Sequence, residues 1–156
     1  MMGGGGGGGG QMQQLSEEIE QMEQEVQAID DEIERLRDKK VDIDDAIEAI
    51  ETLETGSTVQ VPVGGDAYIR ATVDDIDQIV VSLGGGYAAE RDQDGAISTL
   101  ETKQETLDDQ IEDLQSDKAE VETEKEELEQ QAQQMQQQQM QQMMQQQQQQ
   151  EDADDE

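Results

Sequence analysis

The chain has 156 residues, and its 9 Lys and Arg against 41 Asp and Glu give a formal net charge of -32. Only 1% of the residues are aromatic, so the chain cannot build a large core, and we expect no buried catalytic cleft. The charge excludes nucleic acid and anionic membranes as partners, because it repels their phosphates. There is no cysteine, hence no disulfide, and no apolar run long enough to span a membrane, which predicts a cytoplasmic protein.

Such acidity is typical of disordered chains, yet here the acidic residues follow a regular helical pattern. Self-repulsion between them would be screened in concentrated salt, since the Debye length at molar ionic strength is roughly 3 Å. We therefore expect a folded protein that works in a salt-loving cytoplasm.

The amino-terminal part combines a glycine tract with a heptad repeat. Residues 1–10 are mostly glycine and are expected to form a flexible tail, while residues 11–56 are predicted to form a coiled-coil helix that ends at Gly56. The seam of this helix alternates steps of three and four residues through Met12, Leu15, Ile19, Met22, Val26, Ile29, Ile33, Leu36, Lys40, Ile43, Ile47 and Ile50.

Residues 57–91 are neither helical in pattern nor low in complexity, and their alternating apolar side chains are typical of half-buried strands. We expect four strands in two hairpins, closed at Gly64 and Gly65 and at residues 84–86, with Pro62 at an edge or bulge. A sheet this small cannot be stable alone, so we predict that it is completed by other subunits. The predicted oligomerisation residues are Val59, Val61, Val63, Tyr68, Ile69, Ile79, Val81, Leu83 and Tyr87.

A second coiled-coil helix is predicted over residues 92–135, with Asp92 as its N-cap. If the two helices pair antiparallel with Ile50 opposite Ile97, apolar seam positions meet along their whole length, and the polar seam residues face apolar ones. The predicted fold is therefore α+β, a long antiparallel coiled-coil hairpin with a small four-stranded β module at the bend. The second seam runs through Ile97, Leu100, Gln104, Leu107, Ile111, Leu114, Lys118, Val121, Lys125, Leu128, Ala132 and Met135.

Residues 136–156 are rich in glutamine, end in acidic residues and have no partner in this register, so we expect frayed helix or disorder. All eight methionines lie in the first 22 or last 22 residues of the chain. Methionine is flexible and polarisable, which suits it to apolar partners of many shapes. For Met12, Met22 and Met135, packing within the seam is the favoured interpretation, whereas Met140, Met143 and Met144 lie off the seam on one helical face and are better candidates for contact with a partner.

The sequence offers little that is typical of a catalytic, metal-binding or nucleotide-binding site. The segment from Glu90 through Asp92 and Asp94 to Glu101 resembles a calcium loop, but its first ligand is Glu and a strand precedes it, so helix capping explains the acids better. Histidine is absent, no hydroxyl lies beside a base, and no nucleotide-binding loop is present. We expect no enzyme activity, no catalytic residue, no metal and no cofactor.

The order helix, four strands, helix, with the strand segment VQVPVGGDAYIRATV and Gly86-Tyr87 before the second helix, resembles the alpha class of archaeal prefoldin subunits. The resemblance implies an ATP-independent chaperone, built as a hexamer with two alpha and four beta subunits. The coiled-coil helix pairs of its subunits, its arms, would bind non-native polypeptides and pass them to a group II chaperonin. It also implies that the client-binding residues lie at the arm ends: Met12, Leu15, Met135, Met140, Met143 and Met144.

The alternative is a structural coiled-coil spacer, like the hinge of chromosome-organising ATPases. Such proteins carry nucleotide-binding heads at the ends of their arms, where this chain has glycine and glutamine.

Overall fold

The computed structural model of the chain describes residues 7–154. Two long helices flank four strands along the chain, in the order α1 (Gly7–Thr52), β1 (Thr58–Gly64), β2 (Ala67–Thr72), β3 (Ile79–Gly84), β4 (Tyr87–Arg91) and α2 (Gln93–Asp154). The chain divides into two compact units. The central unit comprises residues 33–112, and the terminal unit combines the residues up to 32 with those from 113 onwards. The predicted α+β class, with two hairpins between two long helices, is confirmed.

In the central unit, the end of α1 and the start of α2 pack antiparallel along the predicted seam. Leu36 and Ile111 are buried there. Gln104 Nε2 donates to the Asp44 carboxylate on the opposite helix, and Lys40 forms an ion pair with Asp108. These contacts place residue 104 beside residue 44 and residue 108 beside residue 40, which confirms the predicted register in this unit.

Strands β1 and β2 form a two-stranded antiparallel sheet in which Val59 pairs with Ala71 and Val61 with Ile69. Gly65 and Asp66 make the turn with φ of 58° and 60°, the left-handed values that a tight hairpin turn needs. The register shifts between Pro62 and Gly64. Pro62 still pairs with Tyr68, and the irregularity falls on Val63 beside it; because β1 is paired on one side only, Pro62 also lies on an edge strand, where its missing N–H is tolerated.

Strands β3 and β4 form a second, separate two-stranded sheet, in which Val81 pairs with Ala89. One face of this hairpin packs on the helices. Val81 joins Ala96 and Leu100 in a buried cluster, against which Ile79 and side chains of α1 pack. At Ala96, which has 0% exposure, a larger side chain would collide with this core.

The turns around the helix ends are held by short-range polar contacts. Helix α1 ends at Thr52, four residues before the expected boundary, and Gly56, with φ of 89°, lies instead in the turn into β1, where its N–H donates to the Val73 carbonyl. The Gln93 side chain donates through Nε2 to the Ile50 carbonyl at 2.7 Å, so the first residue of α2 satisfies a carbonyl at the end of α1.

Asp92 is the N-cap of α2, as predicted from the sequence. Its Oδ1 accepts a hydrogen bond of 2.8 Å from the backbone N–H of Gly95. A Cβ on residue 95 would lie 2.6 Å from that oxygen, so a larger residue there would require the Asp92 carboxylate to shift.

Removing the cap is expected to destabilise the chain modestly. Asp92→Ala leaves the Gly95 N–H without its acceptor and should cost about 1 kcal/mol of unfolding free energy. Asp92→Asn is the matched control, because it removes the same charge but keeps a capping oxygen. Urea unfolding in molar salt, followed by circular dichroism, should give a lower midpoint for the alanine variant than for the asparagine variant. Equal midpoints would contradict this role.

In the terminal unit, the start of α1 and the rest of α2 also run antiparallel. Lys118 Nζ lies 2.8 Å from Asp30 Oδ1, and Lys125 Nζ lies 3.5 Å from Glu23 Oε1. Seven residues forward on α2 therefore correspond to seven residues back on α1, as the predicted register requires. Every predicted seam residue of this unit, from Met12 to Met135, is at least half-buried.

The helix bounds differ from the ranges expected for the two ends of the chain. Helix α1 already includes residues 7–10, and α2 continues without a break to Asp154. The end of the seam at Met135 is nevertheless visible as a change in burial, because residues 136–153 are all exposed. Glutamine and methionine are good helix formers, which is consistent with a helix that outlasts its packing partner. The expectation for residues 1–6 lies outside the described residues.

Candidate interaction surfaces

The first candidate surface is the β1–β2 hairpin, whose outer part contacts nothing else in the chain closely enough to be buried. All residues from Gln60 to Arg70 are exposed. Val61 and Ile69, which are cross-strand partners on one face, are 44% and 58% exposed, and Tyr68 lies opposite Pro62 on the other face. Val63 is also exposed, whereas Val59 at the base is half-buried. An isolated hairpin that exposes apolar side chains on both faces is marginally stable in water, so these residues need a partner.

The second candidate surface is the outer side of the β3–β4 hairpin. Leu83 and Tyr87 are exposed near its turn, the latter at 76%. Two residues predicted to contact other subunits are used within the chain instead. Val81 is only 5% exposed in the core, and Ile79 packs against the same cluster. Because alternate residues of a strand point to opposite faces, burying these two side chains turns Val80 outwards, and Val80 is 69% exposed.

Sequence reasoning missed Val80 and Lys103. The run Ile79, Val80, Val81 is apolar at successive positions, which signals that both faces of β3 are covered, one by the chain and one by something else. Lys103 Nζ donates to the Ser82 carbonyl at 2.7 Å and so ties β3 to α2. That contact has no signature in the sequence.

The third candidate surface lies in the terminal unit. Met12, Leu15 and Met135, predicted as client-binding residues, are half-buried in the seam, and Leu15 and Met135 line a shallow groove between α1 and α2 together with Leu128. Most of their surface is therefore committed to helix pairing. They are poor candidates for contact with a large partner.

The other three predicted residues form what we call the methionine face: Met140, Met143 and Met144. Their spacing places them on one side of α2, and they are 70%, 66% and 70% exposed. The methionine face is thus an apolar stripe on an otherwise polar, glutamine-rich helix.

The acids suggested by the calcium-loop resemblance serve other structural roles here. Glu90 belongs to β4, and Asp92 caps α2. Among residues 7–154, no group of three or more Asp and Glu side chains is arranged to hold a metal ion. In the same described range, no helix combines the length and apolarity that crossing a membrane requires.

Comparison with known proteins places these features in a family. The prefoldin subunit family model matches residues 22–138. A prefoldin subunit alpha of Haloarcula marismortui is 81% identical over 116 residues, which cover 74% of this chain and 75% of that relative. A prefoldin subunit alpha of Pyrococcus horikoshii is 30% identical over 116 residues, covering 72% of this chain and 78% of that relative.

The fold agrees with a solved structure as well. A chain in the cryo-EM structure of filamentous PFD from Methanocaldococcus jannaschii superposes with a TM-score of 0.50 at 28% identity, covering 75% of this chain and 93% of that one. With the family match extending from α1 through both hairpins into α2, this chain belongs to the prefoldin family of chaperone subunits, among the alpha-class members that halophilic archaea carry.

Proposed function

We propose that this chain is the alpha-class subunit of a cytoplasmic, ATP-independent prefoldin that holds non-native polypeptides and passes them to a group II chaperonin. Its partners would be beta-class subunits, in a hexamer of two alpha and four beta chains. The observation that carries the holding role is the methionine face, an exposed apolar stripe that lies past the end of the helix seam at Met135.

Assembly is supported by the two hairpins. Each is a two-stranded sheet, so each strand has an outer edge that takes no part in the ladder and that another subunit's strand can complete, although Lys103 already holds the Ser82 carbonyl of β3. The exposed apolar side chains beside those edges, Val61, Ile69, Val80, Leu83 and Tyr87, would be buried in the same step. The open edges give backbone pairing, and the side chains give the hydrophobic contribution.

Client binding is supported by the character of the methionine face. Unfolded clients expose many different apolar segments, and long unbranched thioether side chains adapt to them better than rigid branched ones. The surrounding glutamines carry no charge, so an apolar segment can approach this stretch of helix without crossing the dense acidic surface found elsewhere on the chain.

The test is a set of matched variants in the assembled complex. M140Q/M143Q/M144Q replaces three thioethers by side chains of similar length and helix propensity, so the helix should persist while the apolar stripe is lost. We expect the complex to form normally but to need roughly tenfold more protein to suppress aggregation of an unfolded client, equivalent to about 1.4 kcal/mol of binding free energy. Light scattering after dilution of a denatured enzyme into molar salt measures this.

M140L/M143L/M144L is the matched control, because leucine keeps the apolar surface and the helix propensity. It should protect the client far better than the glutamine variant, with at most a small loss relative to the unsubstituted chain, because branched leucine adapts less well to varied apolar segments. If the glutamine variant also protects fully, the methionine face is not the client-binding surface.

A further inference from the structure

We propose that Met140, Met143 and Met144 form a modification site at which hydrogen peroxide oxidises the thioethers to sulfoxides and thereby weakens client holding. This inference rests on the client-binding role proposed above for the same face. It adds a chemical switch that acts on that role.

Exposure makes the oxidation selective for the methionine face. The chain has no Cys, Trp or His, so methionine sulfur is its most readily oxidised group. The three thioethers of the methionine face are 66–70% exposed, whereas Met12, Met22 and Met135 are half-buried in the helix seam. Because oxidation follows exposure, the methionine face should react well before the seam.

The reaction needs no group beyond the peroxide. A sulfur lone pair attacks one peroxide oxygen, the O–O bond breaks, and the departing hydroxide takes the remaining proton to leave as water. Sulfur is oxidised by two electrons and peroxide is reduced by two, so each thioether consumes one peroxide and yields one sulfoxide and one water.

Oxidation of the methionine face changes its polarity but not its charge. A sulfoxide is polar, so oxidation of all three side chains converts the apolar stripe into a polar one without adding charge. The methionine face is fully outside the seam, and its helix is built from glutamine, so the change should leave the fold of the terminal unit intact. Oxidation of a seam methionine would instead disturb helix pairing. Oxidation of the methionine face should therefore reduce client binding reversibly without unfolding the helix pair.

The experiment uses the assembled complex with beta-class subunits, treated with increasing hydrogen peroxide in molar salt. Peptide mass spectrometry should show oxidation at residues 140, 143 and 144 severalfold faster than at residues 12, 22 and 135. Client protection should fall by about the same factor as in M140Q/M143Q/M144Q, with unchanged helix content by circular dichroism. Treatment with methionine sulfoxide reductases should restore it.

Peroxide should cause no further loss of protection in the leucine variant M140L/M143L/M144L, measured against the same variant before treatment, although its other five methionines remain. If this variant loses protection as fast as the unsubstituted chain, the switch is not at these residues and the inference is wrong. If the glutamine variant protects the client poorly but the oxidised complex of the unsubstituted chain protects it fully, the client-binding proposal stands and only the oxidation switch is wrong. If the glutamine variant itself protects fully, the client-binding proposal fails first.

Discussion

A V61D/I69D variant is expected to lose assembly with beta-class subunits while its own helices remain folded. The two side chains are cross-strand partners on one face of the β1–β2 hairpin and are 44% and 58% exposed, so aspartate there costs the isolated chain little. In an assembled interface the substitution removes two apolar contacts and requires two charges to be buried. A loss of at least about 3 kcal/mol, more than 100-fold in affinity, follows from the apolar contacts alone.

Sedimentation velocity in molar salt with an excess of beta-class subunits measures the outcome directly. The matched control is T58D/T72D, which also adds two charges at a cross-strand pair, but on the opposite face of the same hairpin. The control should sediment as the full complex and V61D/I69D as a free subunit. A full-sized complex with V61D/I69D would show that this face does not make the subunit contact.

The residues of that hairpin could be identified from the sequence because their signals are local. Alternation through Val59, Val61 and Val63, a glycine pair and a proline fix the two strands, their turn and the irregularity between them. The helix register was equally accessible, because apolar seam positions of the two helices meet along their whole length in only that alignment. Lys118 beside Asp30 and Lys125 beside Glu23 agree with it.

The orientation of β3 could not be read from the sequence. Ile79, Val80 and Val81 make both faces of the strand apolar, and a period of two residues does not say which face meets the chain's own helices. The structure turns Val81 towards Ala96 and Leu100, a contact that depends on how the hairpin packs on α2 and not on any local pattern. On β3, Val80 is therefore the better candidate for contact with another subunit, in place of Ile79 and Val81.

The ends of the helices were also beyond sequence reasoning. We expected frayed helix or disorder past the seam, and α2 continues as regular helix for 19 residues past Met135 to Asp154, with residues 136–153 all exposed. Backbone propensity sustains a helix there, while burial decides only where the seam ends. At the other end, glycine disfavours helix by about 1 kcal/mol per residue, and nothing in the structure explains why residues 7–10 are helical.

Lowering the salt from molar to about 0.1 M is expected to unfold much of the chain. Its 41 acidic residues face only 9 basic ones, and at the lower ionic strength the Debye length grows from about 3 Å to about 10 Å, so neighbouring carboxylates along both helices repel one another. Circular dichroism in potassium chloride should show a large loss of helix. Chloride is preferred to sulfate, which also strengthens apolar burial. Equal helix content at both concentrations would contradict the expected salt requirement.

Replacing the three seam lysines, in K40L/K118L/K125L, is expected to stabilise the chain in molar salt and to destabilise it in dilute salt. In molar salt the ion pairs with Asp108, Asp30 and Glu23 are screened, and leucine in the seam should add about 1 kcal/mol of stability at each position. At low salt the variant lacks three of the nine basic residues and the ion pairs that they form, each worth about 0.2–1 kcal/mol of stability. The remaining acidic residues also repel one another more strongly. Urea midpoints should therefore be higher than those of the unsubstituted chain in molar salt and lower in dilute salt.

Lys39→Leu, compared with Lys118→Leu, is the matched single-site control, since Lys39 is exposed and lies outside the seam. It removes the same charge from an exposed position that lines a groove beside the seam, so it should stabilise the chain less than Lys118→Leu does in concentrated salt. Stabilisation by Lys118→Leu alone, and only in concentrated salt, would mean that the seam lysines serve register and low-salt stability at the expense of maximal packing. If Lys118→Leu lowers stability in molar salt as well, the ion pair with Asp30 contributes more than an apolar side chain would, and screening does not govern the seam.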